Sequence, residues 1–399
     1  MLKKAIFSLI ISTLLLFTGC GEKQEIVPKI EIKDGVKFVH NDEPLWGENP
    51  QIELKFVRQI GVFEGPDDNY MFFMPNDLTV DKEGNLYVAD KGNYRIQKFD
   101  KNGKYLATIG RKGVGPSEFT GPVAININSN GNLLVSNFTG MISNHMIMTT
   151  EGKELRRFKL YTGKTIIRLL SDDSIIKEIS NDDDPSLLLT IIDENEETIR
   201  TIGRAEIFDN PSITNSLKMF NYTIDENDNF YISYQKRNLI EKYTSDNKVV
   251  LKIDRKVNYD TDFEVSEYKI DRPTVSGGEI VMQKVTSYSV KANSVSHAIA
   301  VDGNERIWVV TFNRQQKPEE LAGETFSVDG SGVLFRTTGN TDITETNMYI
   351  LEVFDKEGIL LTRFPITHFI DGMRIYGDRL FILDKLRTMC IYEYKIIDL

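Results

Sequence analysis

The segment Asn76–Gly110, NDLTVDKEGNLYVADKGNYRIQKFDKNGKYLATIG, constrains the fold more than any other part of the chain. Its apolar runs are Asp77–Val80, Asn85–Ala89, Arg95–Phe99 and Tyr105–Ile109, and they alternate with Asp81-Lys82-Glu83-Gly84, Asp90-Lys91-Gly92-Asn93 and Asp100-Lys101-Asn102-Gly103. Gly and Asn supply the positive φ that tight hairpins need. The spacing therefore predicts four short strands in one antiparallel meander, a sheet too small to be stable alone. The turn before the second strand recurs at Gly131, Asp173, Asp228, Glu305 and Asp378, with steps from Gly84 of 47, 42, 55, 77 and 73 residues. That is near the period of a four-stranded propeller blade carrying insertions.

Counting strands gives the closure. Complete meanders fall at 76–110, 122–160, 165–203, 219–254 and 296–365, and after residue 366 only Gly372–Ile375, Leu380–Leu383 and Met389–Tyr394 remain. One unassigned strand, Ile52–Gly61, stands near the start. Three plus one makes a sixth sheet. The expected fold is all-β: a six-bladed β-propeller of four-stranded antiparallel blades, closed by an N-terminal strand that joins the C-terminal blade and removes its open edge. The second strands are mostly apolar on both faces, as strands between neighbouring sheets require. A composition of 40% apolar and 27% charged residues is that of a globular protein.

The run VADKGNYRIQKFDKNGKYLATIGRKGVGPSEF at 88–119 is similar to an NHL repeat, and the whole chain resembles the six-bladed β-propeller lipoproteins of bacteria. The resemblance is specific over about residues 50–125 and architectural afterwards. It implies a propeller and an envelope location. The NHL group includes binding modules and a few enzymes, so the fold leaves activity open.

Residues 1–20, MLKKAIFSLIISTLLLFTGC, have a positive start at Lys3 and Lys4 and a short apolar stretch from Ala5 to Phe17. That stretch is too short for a stable membrane span. With Thr18, Gly19 and Cys20 it resembles a bacterial lipoprotein signal peptide, although Phe17 stands where Leu is usual. The resemblance implies cleavage after residue 19 and a diacylglycerol on the Cys20 thiol. An ordinary secretory signal with an incidental cysteine is the other reading. The expected organisation is a signal peptide at 1–19, a lipid-anchored tether at 20–50 that is partly ordered against the domain, and the propeller at 51–399. Gly21 after the cysteine favours the outer membrane or cell surface, with the periplasmic side also open. Cys390 is then left without an intrachain partner, and its apolar neighbours predict a buried, inert thiol.

The formal net charge is −11, and without Lys3 and Lys4 it is −13. An acidic chain with no basic block is a poor partner for nucleic acid. The turns joining first to second and third to fourth strands are short, whereas the insertions fall at 62–75, 111–121, 181–185, 204–218, 256–295 and 313–345. Propeller topology puts all of these on one face, where a ligand over the central channel is expected. Candidate residues on that face are Tyr70, Phe72, Arg111, Lys112, His297, Asn313 and His368. The basic, glycine-rich loop Arg111–Pro116 could hold an anion but lacks a phosphate-loop ending. Asp90 and Asp384 end second strands and are expected to bond turn amides. Asp225–Asp228 and Asp182–Asp184 read as solvated turns rather than calcium loops.

No catalytic motif and no cofactor or metal-ligand pattern is found. The leading expectation is a monomeric, non-enzymatic, lipid-anchored module that binds a protein, peptide or glycan. The alternatives are a metal-dependent hydrolase or lyase at the channel mouth, with His297 and His368 as zinc candidates, and a purely structural envelope protein. Labelled lipid should be incorporated into the wild-type chain and not into Cys20→Ala; lipid uptake by that variant would refute the anchor.

Overall fold

The computed structural model describes residues 27–140, 143–160, 167–178, 184–276, 279–329 and 332–399, so Cys20 lies outside the described residues. The strands are set by one local device used repeatedly. At Asp81, Asp100, Asp193, Asp225, Asp302 and Asp355 a carboxylate oxygen accepts the backbone N–H groups two and four residues on. The residue three positions on is left-handed, as Gly84, Gly103, Glu196, Asp228, Glu305 and Gly358. In three of these turns the second oxygen accepts a hydrogen bond from Tyr87, Tyr231 or Trp308 on the following strand. Each Asp thus stabilises a turn, and Asp81, Asp225 and Asp302 also hold a core aromatic in register.

The turns organise six sheets. Blade one is Pro75–Val80, Leu86–Asp90, Arg95–Phe99 and Tyr105–Ile109. Blade two spans Pro122–Ile127 to Glu154–Lys159, blade three Ile167–Leu169 to Thr198–Arg204, and blade four Phe220–Ile224 to Val249–Arg255. Blade five joins Ser296–Val301, Ile307–Phe312, Glu345–Phe354 and Leu360–His368. Blade six takes Gly372–Tyr376, Arg379–Asp384 and Cys390–Asp398 from the C-terminus and Ile52–Ile60 from the N-terminus. That last pair is antiparallel, with Ile52 opposite Asp398 and Ile60 opposite Ile391. The expected six-bladed propeller and its closure are therefore present.

The second strands Leu86–Asp90, Phe230–Tyr234 and Ile307–Phe312 are buried throughout, because each packs between two neighbouring blades. Polar groups at these junctions are paired. Arg255, fully buried between blades four and five, donates to Glu352 at 2.8 Å, Ser296 at 2.7 Å and Thr311 at 3.0 Å. Removing one member of such a pair costs about 3–5 kcal/mol. Cys390 is buried and its thiol is pushed up to about 12, chiefly by desolvation.

The segment expected to be a partly ordered tether is ordered against the domain from Lys29 onwards. Lys29–Lys33 and Val36–Asn41 form a hairpin, and its second strand adds in parallel to Val249–Arg255, so blade four has six strands. Asp34 and Gly35 both have positive φ, the conformation of an Asp-Gly hairpin turn. Asn41 then accepts from the Leu360 amide and donates to the Gly358 carbonyl. Lys29 lies opposite His40, which pairs with Asp254 near the insertion-rich end of blade four. Any tether is confined to the residues before this hairpin.

His145 is fully buried in blade two, within 3.1 Å of the Ser136 hydroxyl. Burial pushes its pKa down to about 4, against ~6.5 in the unfolded chain. Between those values the unfolded chain binds a proton that the folded protein refuses, so stability rises with pH across that interval and is lost as pH falls. His145→Leu should lack this contribution, up to about 3 kcal/mol. Denaturant midpoints at about pH 4 and about pH 7 check it; the same pH difference in both proteins would refute it.

Candidate functional site

The long connections lie on the face opposite the short Asp turns. They include a long ribbon, Phe263–Ser276 with Glu279–Ala292, and a second hairpin, Ala322–Asp329 with Gly332–Gly339. The second hairpin leaves blade five through the turn Pro318–Glu320, which is held by Arg314 donating to Glu320 at 2.7 Å and by Arg387 donating to the Glu320 carbonyl. It then runs past blade six to blades one and two. Val333 and Phe335 bury against Met74, Tyr94 and Phe138, and Phe326 meets Phe138 edge-on at 4.9 Å. The hairpin's side chains press so closely on blade two that a Cβ on Gly121 would lie 2.6 Å from the Phe335 ring, and one on Gly140 2.6 Å from Val328. Lys91, at the end of blade one's second strand, donates to Glu324 of this hairpin at 2.8 Å and lies over the Phe335 ring.

Beside this strap the channel opens into a cavity of about 430 Å3. Near its mouth are Lys91, Lys385, Glu324, Asp371 and His297. Lys385 Nζ is 3.6 Å from Glu324. Asp371 is open to cavity water but ringed by protein; desolvation raises its carboxyl while Lys385 opposes the rise. Deeper in, Asp77 accepts from Arg168 at 2.8 Å, from Arg374 at 2.9 Å and from the Ile125 amide at 3.1 Å. Burial pushes the Asp77 carboxyl up against the pull of Arg168 and that amide. Bonded to two guanidinium groups, it is held as a carboxylate. Arg168, Tyr222, Met373 and Arg374 separate this cavity from a second one, of about 350 Å3, at the short-turn end of the channel.

Of the candidates read from the sequence, His297 lines the cavity. Its Nε2 donates to the Ile370 carbonyl at 2.6 Å, its ring stacks on Tyr349, and burial lowers its pKa. The others lie elsewhere. Tyr70 bonds the Gly103 carbonyl and the Tyr105 amide and packs on Phe99. Phe72 is buried in the core of blades six and one. Arg111 is exposed and pairs with Glu118 at 2.9 Å, and that same carboxylate accepts from the Gly115 amide. The glycine-rich loop therefore holds the protein's own anion. Lys112 sits over Tyr94, and Asn313 bonds the Asn347 carbonyl. His368 stacks on Tyr392 at 3.9 Å and bonds the Tyr394 hydroxyl, so each of the two zinc candidates has its Nε2 engaged by an oxygen of the protein. Among the described residues no three His, Cys, Asp or Glu side chains converge to hold a metal ion.

Asp90 accepts from the Phe73 amide, Asn93 and Arg95, and Asp384 from the Arg387 and Thr388 amides. Asp225 is occupied by its own turn, and Asp228 bonds Ser171 of the neighbouring blade. Asp182 and Asp183 lie outside the described residues. Asp77, Arg168, Tyr222 and Arg374 were missed by sequence reasoning. The available signal was a charged residue inside an otherwise apolar first strand, as in NDLTV, IIRLL and GMRIY.

Comparison with known proteins agrees with this architecture. The family model for the NHL repeat matches residues 72–99. A probable peptidyl-alpha-hydroxyglycine alpha-amidating lyase of Caenorhabditis elegans is 31% identical over 70 residues, 16% of this chain; the chain spans about a fifth of that relative's length. A solved member of the DUF4221 family from Bacteroides vulgatus superposes with a TM-score of 0.54 at 11% identity, covering 87% of this chain and 99% of the other. An exported protein of Bacteroides fragilis gives 0.52 at 10% identity, covering 91% and 99%. At such identities the likeness is one of fold.

Proposed function

We propose that this NHL-repeat propeller is a lipid-anchored binding module of the bacterial envelope. It takes a polar ligand, a peptide, a glycan or a segment of a partner protein, in the cavity at the insertion-rich end of its channel. The observation that carries the reading is the cavity wall. Lys91 and Lys385 share Glu324, and Arg168 and Arg374 share Asp77. Such a wall offers hydrogen bonds and charge of both signs, which suits recognition of a polar ligand. The histidine at the mouth is spent on a main-chain carbonyl and aromatic packing.

The anchor fits this use. The hairpin begins at Lys29 on the insertion-rich side, and the nine residues from Cys20 to Lys29 reach at most about 30 Å. A lipid on Cys20 would keep the cavity close to the membrane that carries it. A metal-dependent hydrolase or lyase at the same mouth is the second reading, favoured by the 70-residue similarity to an amidating lyase.

One experiment decides between them. Mature protein is screened on glycan and peptide arrays, and its metal content is measured beside that of His297→Ala. Array hits that Phe326→Ala weakens, without stoichiometric metal, are the expected result. One zinc per chain that His297→Ala loses would replace binding with catalysis. An array without hits above background would overturn the binding reading.

A further inference from the structure

The floor of the cavity carries more hydrogen-bond donors than the protein uses. Asp77 takes one bond from each of Arg168 and Arg374. Main-chain carbonyls of Ile167 and Met373 accept further contacts, at 3.5 and 3.1 Å. A guanidinium has five N–H donors, so both arginines keep donors for the cavities they line. Two cations on one carboxylate also leave that cluster with one surplus positive charge. Beside them, Asn221 accepts from Gln235 at 3.3 Å, which fixes its amide orientation. Among the described residues its Nδ2 is then buried without a partner, and so is the Tyr222 hydroxyl. Burying such donors unpaired destabilises the fold unless a ligand accepts from them. Both residues line the same cavity.

We propose that this floor is a subsite for a single carboxylate, and that the ligand it anchors is a sugar acid. The proposal deepens the binding reading above and rests on it. Every spare group at the floor is a donor, which is what a carboxylate accepts from. Burial raises the Tyr222 phenol above its ordinary range, so it stays protonated and able to donate. Glu178 stands on the wall, and towards the mouth Asp371 and Glu324 are balanced by Lys91 and Lys385. A dianion such as phosphate would exceed the one surplus positive charge at the floor, whereas a monoanion matches it. The same carboxylates accept hydrogen bonds from ligand hydroxyl groups. Phe138, Phe220 and Phe326 offer apolar contact for the C–H face of a pyranose, and about 430 Å3 suits one or two rings.

Isothermal titration of the mature chain with D-galacturonate, D-galactose, inorganic phosphate and triglycine tests this. Galacturonate is expected to bind at least tenfold more tightly than each of the other three. Tyr222→Phe should weaken galacturonate about tenfold and leave galactose unchanged. That hydroxyl has no protein partner in the described structure, so the variant should melt no lower than the wild type. Equal binding of acid and neutral sugar, both untouched by Tyr222→Phe, would remove the carboxylate subsite while the binding module stands. Phosphate or triglycine binding as tightly as galacturonate would overturn the sugar-acid assignment, and so would heat from none of the four probes.

Discussion

The ladder between Ile52–Ile60 and Cys390–Asp398 is the constraint on which the rest of the molecule depends. It closes a loop of more than three hundred residues, at an entropic cost of about 5 kcal/mol. The offset comes from main-chain bonds along the ladder and from Ile52, Ile60, Ile391 and Ile396, all buried by it. The cavity depends on the same seam. Arg374 belongs to blade six and Asp77 to blade one, so their 2.9 Å bond crosses the joint. With the ring open, Asp77 would keep Arg168 alone and the floor would lose its surplus positive charge.

The N-terminal segment does more than supply one strand. Its hairpin extends blade four, Asn41 and the Leu45 and Trp46 amides bond the outer strand of blade five and its flanking turn, and Ile52–Ile60 completes blade six. About thirty residues thus bind three consecutive blades. The hairpin also covers the outer edge of blade four's last strand, an edge otherwise open to pairing with another chain. A segment that reads as a polar tether is in this way part of the domain's outer wall.

The blades were legible because their information is local. An Asp at the turn start, a left-handed residue three positions later and an aromatic after that specify a hairpin without reference to distant sequence. The same logic should have found the Asp34-Gly35 hairpin. The alternation Ile30, Ile32, Val36, Phe38 around it was masked by flanking prolines and charge. The site was less legible because a loop residue's role depends on what packs over it. Tyr70 and Phe72 serve the core where the sequence suggests a ligand face. The floor of the cavity is built from the first strands of several blades, each contributing only one or two of its polar side chains. Arg168 acquires meaning only once Asp77 and Arg374 stand opposite, and that convergence exists in the closed ring alone.

Fold-level likeness to other propellers fixes the scaffold and leaves the chemistry to the channel walls. In this chain those walls divide the channel by charge rather than by apolar plugging. A guanidinium pair on one carboxylate is an expensive septum, since burying Asp77 and part of each arginine removes charge from water before attraction repays it. Apolar side chains on the same strands would seal the channel at lower cost. Retaining the charged septum, with a buried phenol and an amide left unpaired among the described residues beside it, is the arrangement expected where stability is exchanged for a polar surface prepared for a ligand.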